Sequence, residues 1–458
     1  MKMINIKNIL FYALALASIS ALFCCSEQDE QVGYIQSPLN TETRPIRSYS
    51  EALEIAQKAL QMVSKDNVNT RAGHISKKVD VEKDAIIITS GNITTRAVEY
   101  NTNDTLMYVF NYTNNQGFAV VAADKRTESL IAVTEFGHYT PGDTVDTGFH
   151  RFMLAAKYYI LDHQAIVENE PVRAPKGFFY EIDTIGIADI APRIIVKWGQ
   201  TGHEGQFCPN YISGCAHTAA AMIMSYFDYP SSIQLTYSGA PFSYRYLNWN
   251  EMRNYIGKYE SNPPHNHNTC SNDHHESIGY LCRELAHKTG NHFDLNGTGA
   301  SISNIRNAFI SLGYSAGAVT QYQGLVNTFT IQNHLSDGKL IFMGGYNNSG
   351  DGHAWVVDGF YGYTIRTRYY EYGFTHGTPD PPILMDEQYH TYRYNHINWG
   401  YDGYNNGYFS DGIFAYFANA YSYDRLDYVK HPYDYIPAIP TESMDYSNNL
   451  EFFTVGLW

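Results

Sequence analysis

The chain contains few charged residues for its length, and no stretch of it is strongly basic. Charged residues make up 17% of the 458 positions, against 44% hydrophobic residues, so we expect a globular protein with a sizeable core and not a disordered one. Acidic residues outnumber basic ones by 46 to 31, which gives a formal charge of −15. We therefore expect no nucleic-acid partner.

Long apolar runs are absent except for one at the N-terminus. Lys2 and Lys7 precede ILFYALALASISALF, which has the length of a signal-peptide core, and no other segment reaches the roughly 18 apolar residues that a membrane span needs. The run ends in LFCCSEQDE, which resembles a bacterial lipoprotein signal with Cys25 as the lipidated residue, because Leu22 lies three positions before it. We expect an exported protein, either anchored in the outer envelope of a Gram-negative bacterium through Cys25 or secreted.

Cysteine is scarce. Setting aside the two cysteines of the signal leaves Cys208, Cys215, Cys270 and Cys282. Four cysteines allow two disulfides in an oxidising compartment, whereas at most one disulfide is possible if Cys215 works as a thiolate. The sequence does not choose between these alternatives.

The composition changes along the chain, and no internal repeat is evident. An amphipathic helix in SYSEALEIAQKALQMVSK, three strand-like pieces and a second helix in GFHRFMLAAKYYILDHQAIV predict a small α+β domain. PVRAPKG then breaks regular structure and opens an exposed connection that proteases can reach. The predicted organisation is a signal peptide at 1–25, a tether at 26–47, a small domain at 48–170, a connection at 171–190, a larger domain at 191–430 and an extension at 431–458.

The larger domain places its helices first and its strands later. Helices are predicted after Cys215, in HESIGYLCRELAHKTG and in SISNIRNAFISLG, whereas KLIFMGGY, GHAWVVDGFYGYTIR, YHTYRYNHINWG and GYFSDGIFAYFANAYS are strand-like. This order indicates a two-part α+β architecture with a twisted antiparallel sheet.

One cysteine occupies a position that favours reactivity. In YISGCAHTAAAMIMSYFDYP, residues 211–230, the apolar side chains recur with helical spacing and Pro230 ends the helix. Cys215 therefore lies at the helix N-terminus, where backbone N–H groups favour a negative charge and can lower the pKa of a thiol to roughly 3.5–7.5. The alternative is a buried structural cysteine.

A histidine and an asparagine complete a candidate nucleophilic site. His353, in SGDGHAWVVDGF, follows Cys215 by 138 positions, within the roughly 130–150 that separate cysteine and histidine in papain-type enzymes. Asn398 and Trp399 follow in HINWGYDG. The Asn398 amide can accept a hydrogen bond from the imidazole and fix its tautomer, and the Trp399 indole can shield that bond from water.

Together these blocks resemble the streptopain-type cysteine peptidases. WGQ at 198–200, CP at 208–209, SGCAHTAAAMIMSYFDYP, GHAWVVDG and INWGYDG occur in the family's order over roughly 185–425, and RSYSEALEIAQKAL and YVFNYTNNQGFAVVAADKR resemble its inhibitory propeptide. The resemblance implies a papain-like fold. It also implies an enzyme that needs no metal or other cofactor, acts on protein or peptide substrates and is inhibited by its own propeptide. It assigns Cys215 as nucleophile, His353 as base and then acid, Asn398 and Trp399 as its support, and Gln200 as the oxyanion donor.

The chain also departs from the family pattern. Gly199 stands where asparagine is common, and His217 replaces a small residue. The chain has NWGYDG where the family often continues NWGWGG, so that Tyr401 replaces a second tryptophan and Asp402 a glycine. The 45 positions between His353 and Asn398 predict an enlarged hairpin at 361–396. The segment NGTGASIS occupies the place of a substrate-lining loop, which suggests as substrate-binding residues Gly297, Thr298, Gly299, Ala300 and Ser301.

Three alternatives stay open. The segment HNHNTCSNDHHES offers zinc-type ligands in His265, His267, Cys270, His274 and His275, but its spacing fits no standard site, so a solvated loop is the favoured interpretation. A binding protein that has lost activity and an acyl transferase are both compatible with the fold. The intact set of nucleophile, base, orienting amide and oxyanion donor argues against the inactive protein.

Overall fold

The computed structural model describes residues 46–64, 79–82, 84–89, 105–141, 147–167, 178–255, 272–290, 293–294, 297–322, 325–346, 352–371, 374–375, 378–379, 381–414 and 450–457. The predicted signal peptide with Cys25, the tether up to residue 45 and most of the C-terminal extension lie outside these residues. The chain divides into two compact units. The larger unit contains the small N-terminal domain and the larger domain except for residues 364–390, which belong with residues 172–185 to the second unit.

The small N-terminal domain has the two helices and three strands that the sequence predicts, and a fourth strand, β4 (Leu130–Thr134), that the sequence does not predict. Its first helix begins with a reciprocal cap, in which the Ser48 backbone N–H donates to the Glu51 carboxylate at 2.7 Å and the Glu51 N–H donates to the Ser48 hydroxyl at 3.3 Å. The elements are α1 (Tyr49–Ser64), β1 (Ile86–Thr89), β2 (Thr105–Asn111), β3 (Phe118–Ala122), β4 (Leu130–Thr134) and α2 (Thr147–Val167).

The helices of the larger domain surround a buried central helix. All residues from Ala216 to Ser225 are buried, because small side chains allow neighbouring elements to approach this helix from every side. The one-sided apolar face that the sequence predicts is therefore too narrow, although the prediction of a helix is confirmed. The helices are α3 (Cys215–Phe227), α4 (Trp249–Met252), α5 (Asn272–Lys288), α6 (Ile302–Ser311) and α7 (Leu325–Ser336).

The later strands form the predicted antiparallel sheet, so the α+β fold class is confirmed. The short strands are β6 (Ser232–Gln234), β7 (Tyr244–Tyr246), β8 (Phe293–Asp294), β9 (Gly297–Thr298), β10 (Ser315–Ala316), β11 (Thr320–Gln321), β14 (Phe374–Thr375) and β15 (Thr378–Pro379). The main strands are β5 (Phe178–Ile190), β12 (Leu340–Tyr346), β13 (Gly352–Glu371), β16 (Ile383–Asn398), β17 (Gly407–Ser410) and β18 (Glu451–Gly456).

One sheet runs through both domains of the larger unit. Its strand order is β1-β2-β3-β4-β17-β16-β13-β12-β18-β10, so β4 of the small domain pairs directly with β17 of the larger one. The pairing is antiparallel and places Thr134 opposite Gly407 and Val133 opposite Tyr408. The small domain is thus attached by backbone hydrogen bonds as well as by side chains.

The second unit is a charged β-structure built on the predicted enlarged hairpin. Within it Arg366 donates to both carboxylate oxygens of Asp183, at 2.9 and 2.5 Å, and Arg368 lies 3.2 Å from Glu181. The latter part of the predicted connection, from residue 178 onward, is strand β5, which pairs with β13, and not an irregular segment. The alternation of apolar and polar side chains in this stretch is typical of a strand, but the preceding PVRAPKG led to the prediction of an irregular connection.

Among the described residues no helix is long and apolar enough to cross a membrane.

Candidate active site

Cys215 is the first residue of α3, as the sequence predicts. Gly214 precedes it with φ 85°, in the left-handed region that glycine adopts readily. A β-carbon at position 214 would collide with the carbonyl oxygen of Thr298. The backbone of β9 therefore lies directly beside the start of the helix, and the Cys215 thiol, which is partly exposed, lies next to the predicted substrate loop.

The environment of the thiol differs from the sequence expectation. Burial raises the pKa of Cys215 above its ordinary value, although the backbone N–H groups of Ala354, Ala216 and Cys215 act in the opposite direction. The predicted lowering of this pKa is wrong for the full-length chain, because desolvation disfavours the thiolate more than these N–H groups favour it.

His353 lies near the start of β13 and is held by an unexpected acceptor. Its side chain is buried, and its Nε2–H donates to the backbone carbonyl of Trp399 at 2.9 Å. The ring stacks on Tyr401, with centroids 5.0 Å apart. Burial lowers the pKa of His353 to about 4, in spite of the bond to Trp399. The imidazole is therefore neutral near pH 7, as a general base requires.

The small domain covers this histidine. A β-carbon at Gly148, the second residue of α2, would lie 2.5 Å from Cδ2 of His353 and 2.6 Å from Cε3 of Trp399. The positive charge of Arg151, one turn further along α2, also lowers the pKa of His353. Helix α2 thus begins in contact with the predicted base and its indole neighbour.

Asn398 is close in sequence to Trp399 but is bonded elsewhere. Its Nδ2 donates to the Val196 carbonyl at 3.0 Å, and its Oδ1 accepts the Gly400 N–H at 3.2 Å. In this structure the acceptor for His353 is therefore the Trp399 carbonyl and not the predicted Asn398 amide. The role of Asn398 in orienting the imidazole stays a prediction for the active form.

Gln200 is tied to the approach to the nucleophile. Its carbonyl accepts bonds from the Ser213 N–H at 2.8 Å and from the Ser213 hydroxyl at 3.1 Å. Beside it, a β-carbon at Gly199 would lie 2.6 Å from Cγ of Asp402. The Asp402 carboxylate thus fills the space that a side chain at position 199 would need, which accounts for glycine there.

The predicted substrate loop lies beside the site. Thr298 is buried, and its hydroxyl donates to the Ile212 carbonyl at 2.8 Å. Gly299 is exposed and has open space around its Cα, whereas Ala300 packs against the core. Ser301 caps α6 by accepting the Asn304 N–H at 3.2 Å. The structure therefore brings Cys215, His353, Gln200 and this loop into one region.

Comparison with known proteins identifies the family. Residues 198–409 match the Peptidase C10 family, and residues 43–160 match the family described as Spi protease inhibitor. The two matches together span more than two thirds of the chain. The chain is a streptopain-family cysteine peptidase. The resemblance seen in the sequence, with its inhibitor-type propeptide domain, is confirmed.

Solved structures include a similar protein. A fragment of prointerpain A from Prevotella intermedia has 16% identity and a TM-score of 0.46, and the match covers 81% of this chain and 98% of that one. No curated protein sequence matches the chain.

The other cysteines and histidines that the sequence suggests as disulfide partners or metal ligands in this streptopain-family peptidase are described only in part. Cys208, Cys215 and Cys282 are free thiols, and Cys270, His265, His267 and the His274 side chain lie outside the described residues. His275 lies buried on α5, 4.6 Å from the ring of His203, so the solvated-loop interpretation is wrong for this residue. Within the described part of the chain no group of three or more candidate ligands is arranged for a metal.

His217 is also structural. Its Nδ1–H donates to the Ser213 carbonyl at 2.6 Å, and its Nε2 lies 3.0 Å from the Thr289 hydroxyl. Burial lowers the pKa of His217 to about 4. The neutral ring therefore ties the turn before Cys215 to the end of α5.

Sequence reasoning missed the contacts that the propeptide makes with the peptidase. Gly148 and Glu135 carry no motif, and their partners lie more than 200 positions away in the chain. Asp402 carried a weak signal, because it replaces a family glycine. Its φ of 54° is one that glycine favours.

Proposed function

We propose that the protein is an exported bacterial endopeptidase that is made as a zymogen and hydrolyses proteins through a Cys-His-Asn thiol mechanism. The observation that carries the proposal is the contact of Gly148 with His353 and Trp399 beside a helix that begins at Cys215. A propeptide in this position denies a substrate access to the base.

In the proposed reaction the Cys215 sulfur attacks the scissile carbonyl carbon. The developing oxyanion accepts hydrogen bonds from the Gln200 side chain and the Cys215 backbone N–H, each worth about 10²–10³ in rate. His353 accepts the thiol proton and gives it to the leaving amine, which breaks the C–N bond and leaves an acyl-enzyme. His353 then takes a proton from water, the hydroxide attacks the thioester, and the acid product and the free thiol form.

Activation has a geometric requirement. In the full-length chain the His353 Nε2–H donates to the Trp399 carbonyl, and the Asn398 oxygen is occupied by the Gly400 N–H. We expect removal of the propeptide to let the imidazole exchange its acceptor from Trp399 to Asn398. Trp399, which is 1% exposed, would then cover the new bond.

Export is part of the proposal and rests on the N-terminal sequence. We propose that Cys25 carries a lipid and anchors the protein in the outer envelope. Radiolabelled palmitate should enter the native protein and a Cys24→Ser variant but not a Cys25→Ser variant. Label in the Cys25→Ser protein would reject Cys25 as the lipidated residue, and absence of label from the native protein would reject the anchor.

The decisive experiment follows self-processing by intact mass. Chains lacking residues 1–25 are incubated under reducing conditions as the native, Cys215→Ala and Cys208→Ala proteins. We expect the native and Cys208→Ala chains to lose roughly their first 170–190 residues and then to cleave casein, and Cys215→Ala to stay intact. Processing of purified Cys215→Ala would contradict the mechanism, whereas amide products formed with an added amine would indicate acyl transfer.

A further inference from the structure

The propeptide places a carboxylate in a buried charge cluster within the peptidase domain. Glu135 directly follows β4, and its Oε1 accepts the Nε2–H of His396 at 3.0 Å. Its Oε2 lies 3.6 Å from the Lys197 ammonium. The side chains of Glu135, Lys197 and His396 are only 15%, 18% and 4% exposed, so water screens this cluster weakly.

The peptidase domain prepares the two cations for an anion. The Nδ1–H of His396 donates to Asp358 at 2.6 Å, and the second oxygen of Asp358 accepts the backbone N–H groups of Arg193 and Ile194. Because both ring nitrogens of His396 face carboxylates, both carry protons and the ring is positive. Asp358 neutralises one of the two cations, and Glu135 neutralises the other.

The electrostatics agree with this geometry. Burial would lower the pKa of His396, but Asp358 and Glu135 outweigh it and raise the pKa to about 10. Burial would raise the pKa of Glu135, but His396 and Lys197 lower it to about 2. His396 is therefore positive and Glu135 negative near neutral pH.

The cluster is next to the segments that carry the catalytic groups. His396 lies two residues before Asn398 on β16, and Lys197 directly precedes the segment 198–200 that ends in Gln200. The Glu135 backbone N–H also donates to the Asn406 carbonyl at 2.8 Å, which continues the β4–β17 pairing. The carboxylate is thus delivered by the strand that docks the propeptide.

We propose that His396 and Lys197 form a carboxylate-binding site whose ligand in the full-length chain is Glu135, and that this ion cluster holds the propeptide closed over the active site. The proposal rests on the zymogen function proposed above. It adds a specific anchor, separate from the steric cover at Gly148. Loss of the Glu135 charge leaves a buried cation without its partner, which is more costly than loss of a surface pair.

The test is hydrogen exchange in the inert Cys215→Ala chain, monitored by mass spectrometry on peptides from β4 and β17. Glu135→Gln should accelerate exchange there at least about tenfold, since a buried charge-assisted bond is lost. The matched control is Glu54→Gln on α1, which removes an exposed pair with Lys58 at 2.7 Å and should change nothing. Exchange in α3 should stay slow in every variant, which shows that the peptidase domain remains folded.

A double variant tests the coupling. Lys197→Met alone should also accelerate exchange, and Glu135→Gln with Lys197→Met should accelerate it less than the product of the two single effects. Equal exchange in Glu135→Gln and Glu54→Gln, or a purely multiplicative double variant, would overturn the anchor. The exchange measurement needs no peptidase activity, so its result is independent of the proposed function. If Glu135→Gln accelerates exchange in the Cys215→Ala chain but the chain with Cys215 intact never processes itself, the function is rejected and the anchor is kept.

Discussion

Gly148 of the propeptide lies against the imidazole of His353, so close that a β-carbon at position 148 would be 2.5 Å from Cδ2 of the ring. Carbon atoms in proteins pack at about 3.5–4.0 Å. The absence of a side chain at this one position therefore lets the start of α2 sit on the predicted base. At this contact the propeptide approaches the predicted base through its backbone.

The first prediction concerns this approach. Gly148→Ala should force α2 away from His353 and Trp399 and accelerate self-processing roughly tenfold, because overpacking a tight contact costs about 1–3 kcal/mol. The rate is measured by intact mass. Gly456→Ala is the matched control, since its added methyl meets mainly the flexible side chain of Lys339. Processing of Gly148→Ala at the native rate would show that α2 is not the barrier.

The second prediction concerns the nucleophile. Burial raises the pKa of Cys215 in the full-length chain, so removal of the propeptide should lower that pKa as the thiol gains contact with water. The pH dependence of Cys215 alkylation by iodoacetamide, followed on its own peptide, measures the pKa before and after maturation. Cys208, whose pKa burial raises to about 11, provides an internal reference. Identical pH profiles before and after maturation would contradict the role of the propeptide.

Local patterns predicted the elements of this fold well. The spacing of apolar residues indicated α1 and α3, because this pattern acts within a few residues. The positions of Cys215 and His353 followed from motifs at element boundaries. The hydrogen bond from His353 to Trp399 did not, because it depends on a covering helix that no motif near either residue encodes.

Long-range contacts were beyond sequence reasoning. Pairing of β4 with β17 joins residues more than 270 positions apart, and the charge cluster of Glu135, His396 and Asp358 brings together the ends of β4 and β16 with an interior position of β13. A single charged residue after a strand predicts only a solvated end. The burial of Glu135 can be inferred only when the pairing of β4 with β17 is known, so the sequence did not predict its contact with His396.

The third prediction concerns pH. Burial, together with the negative charge of Asp411, raises the pKa of Glu128 to about 7 in the docked propeptide, although a hydrogen bond from Ser410 and the charge of Arg393 oppose the shift. In the released propeptide this pKa should return towards 4.5. Docking is therefore favoured when Glu128 is protonated and weakens as the pH rises through about 7.

Self-processing at pH 8 relative to pH 5 measures this effect. The ratio should be at least about tenfold smaller in Glu128→Gln than in the native chain, because the amide cannot ionise. The catalytic residues are the same in both proteins, so their own pH dependence cancels in the comparison. Glu54→Gln should keep the native ratio. Equal ratios for Glu128→Gln and the native chain would remove Glu128 from the control of docking.

The fourth prediction concerns the pair formed by Gly199 and Asp402 beside Gln200. A β-carbon at position 199 would lie 2.6 Å from Cγ of Asp402, so Gly199→Ala should displace the carboxylate and the backbone next to the oxyanion donor. We expect kcat/KM of the matured enzyme on a fluorogenic peptide to fall tenfold to a hundredfold, as for other overpacked sites. Asp402→Gly alone should be well tolerated, because Asp402 has φ 54°, where glycine is favoured.

The double variant decides the cause. With Asp402→Gly in place the added methyl at position 199 has room, so kcat/KM should return to within about threefold of the native value, a coupling expected only for residues in contact. Full activity in Gly199→Ala alone would mean that Asp402 does not occupy this space in the mature enzyme. A double variant as slow as Gly199→Ala would place the defect in the backbone at position 199, and the two departures from the family pattern would then be independent of each other.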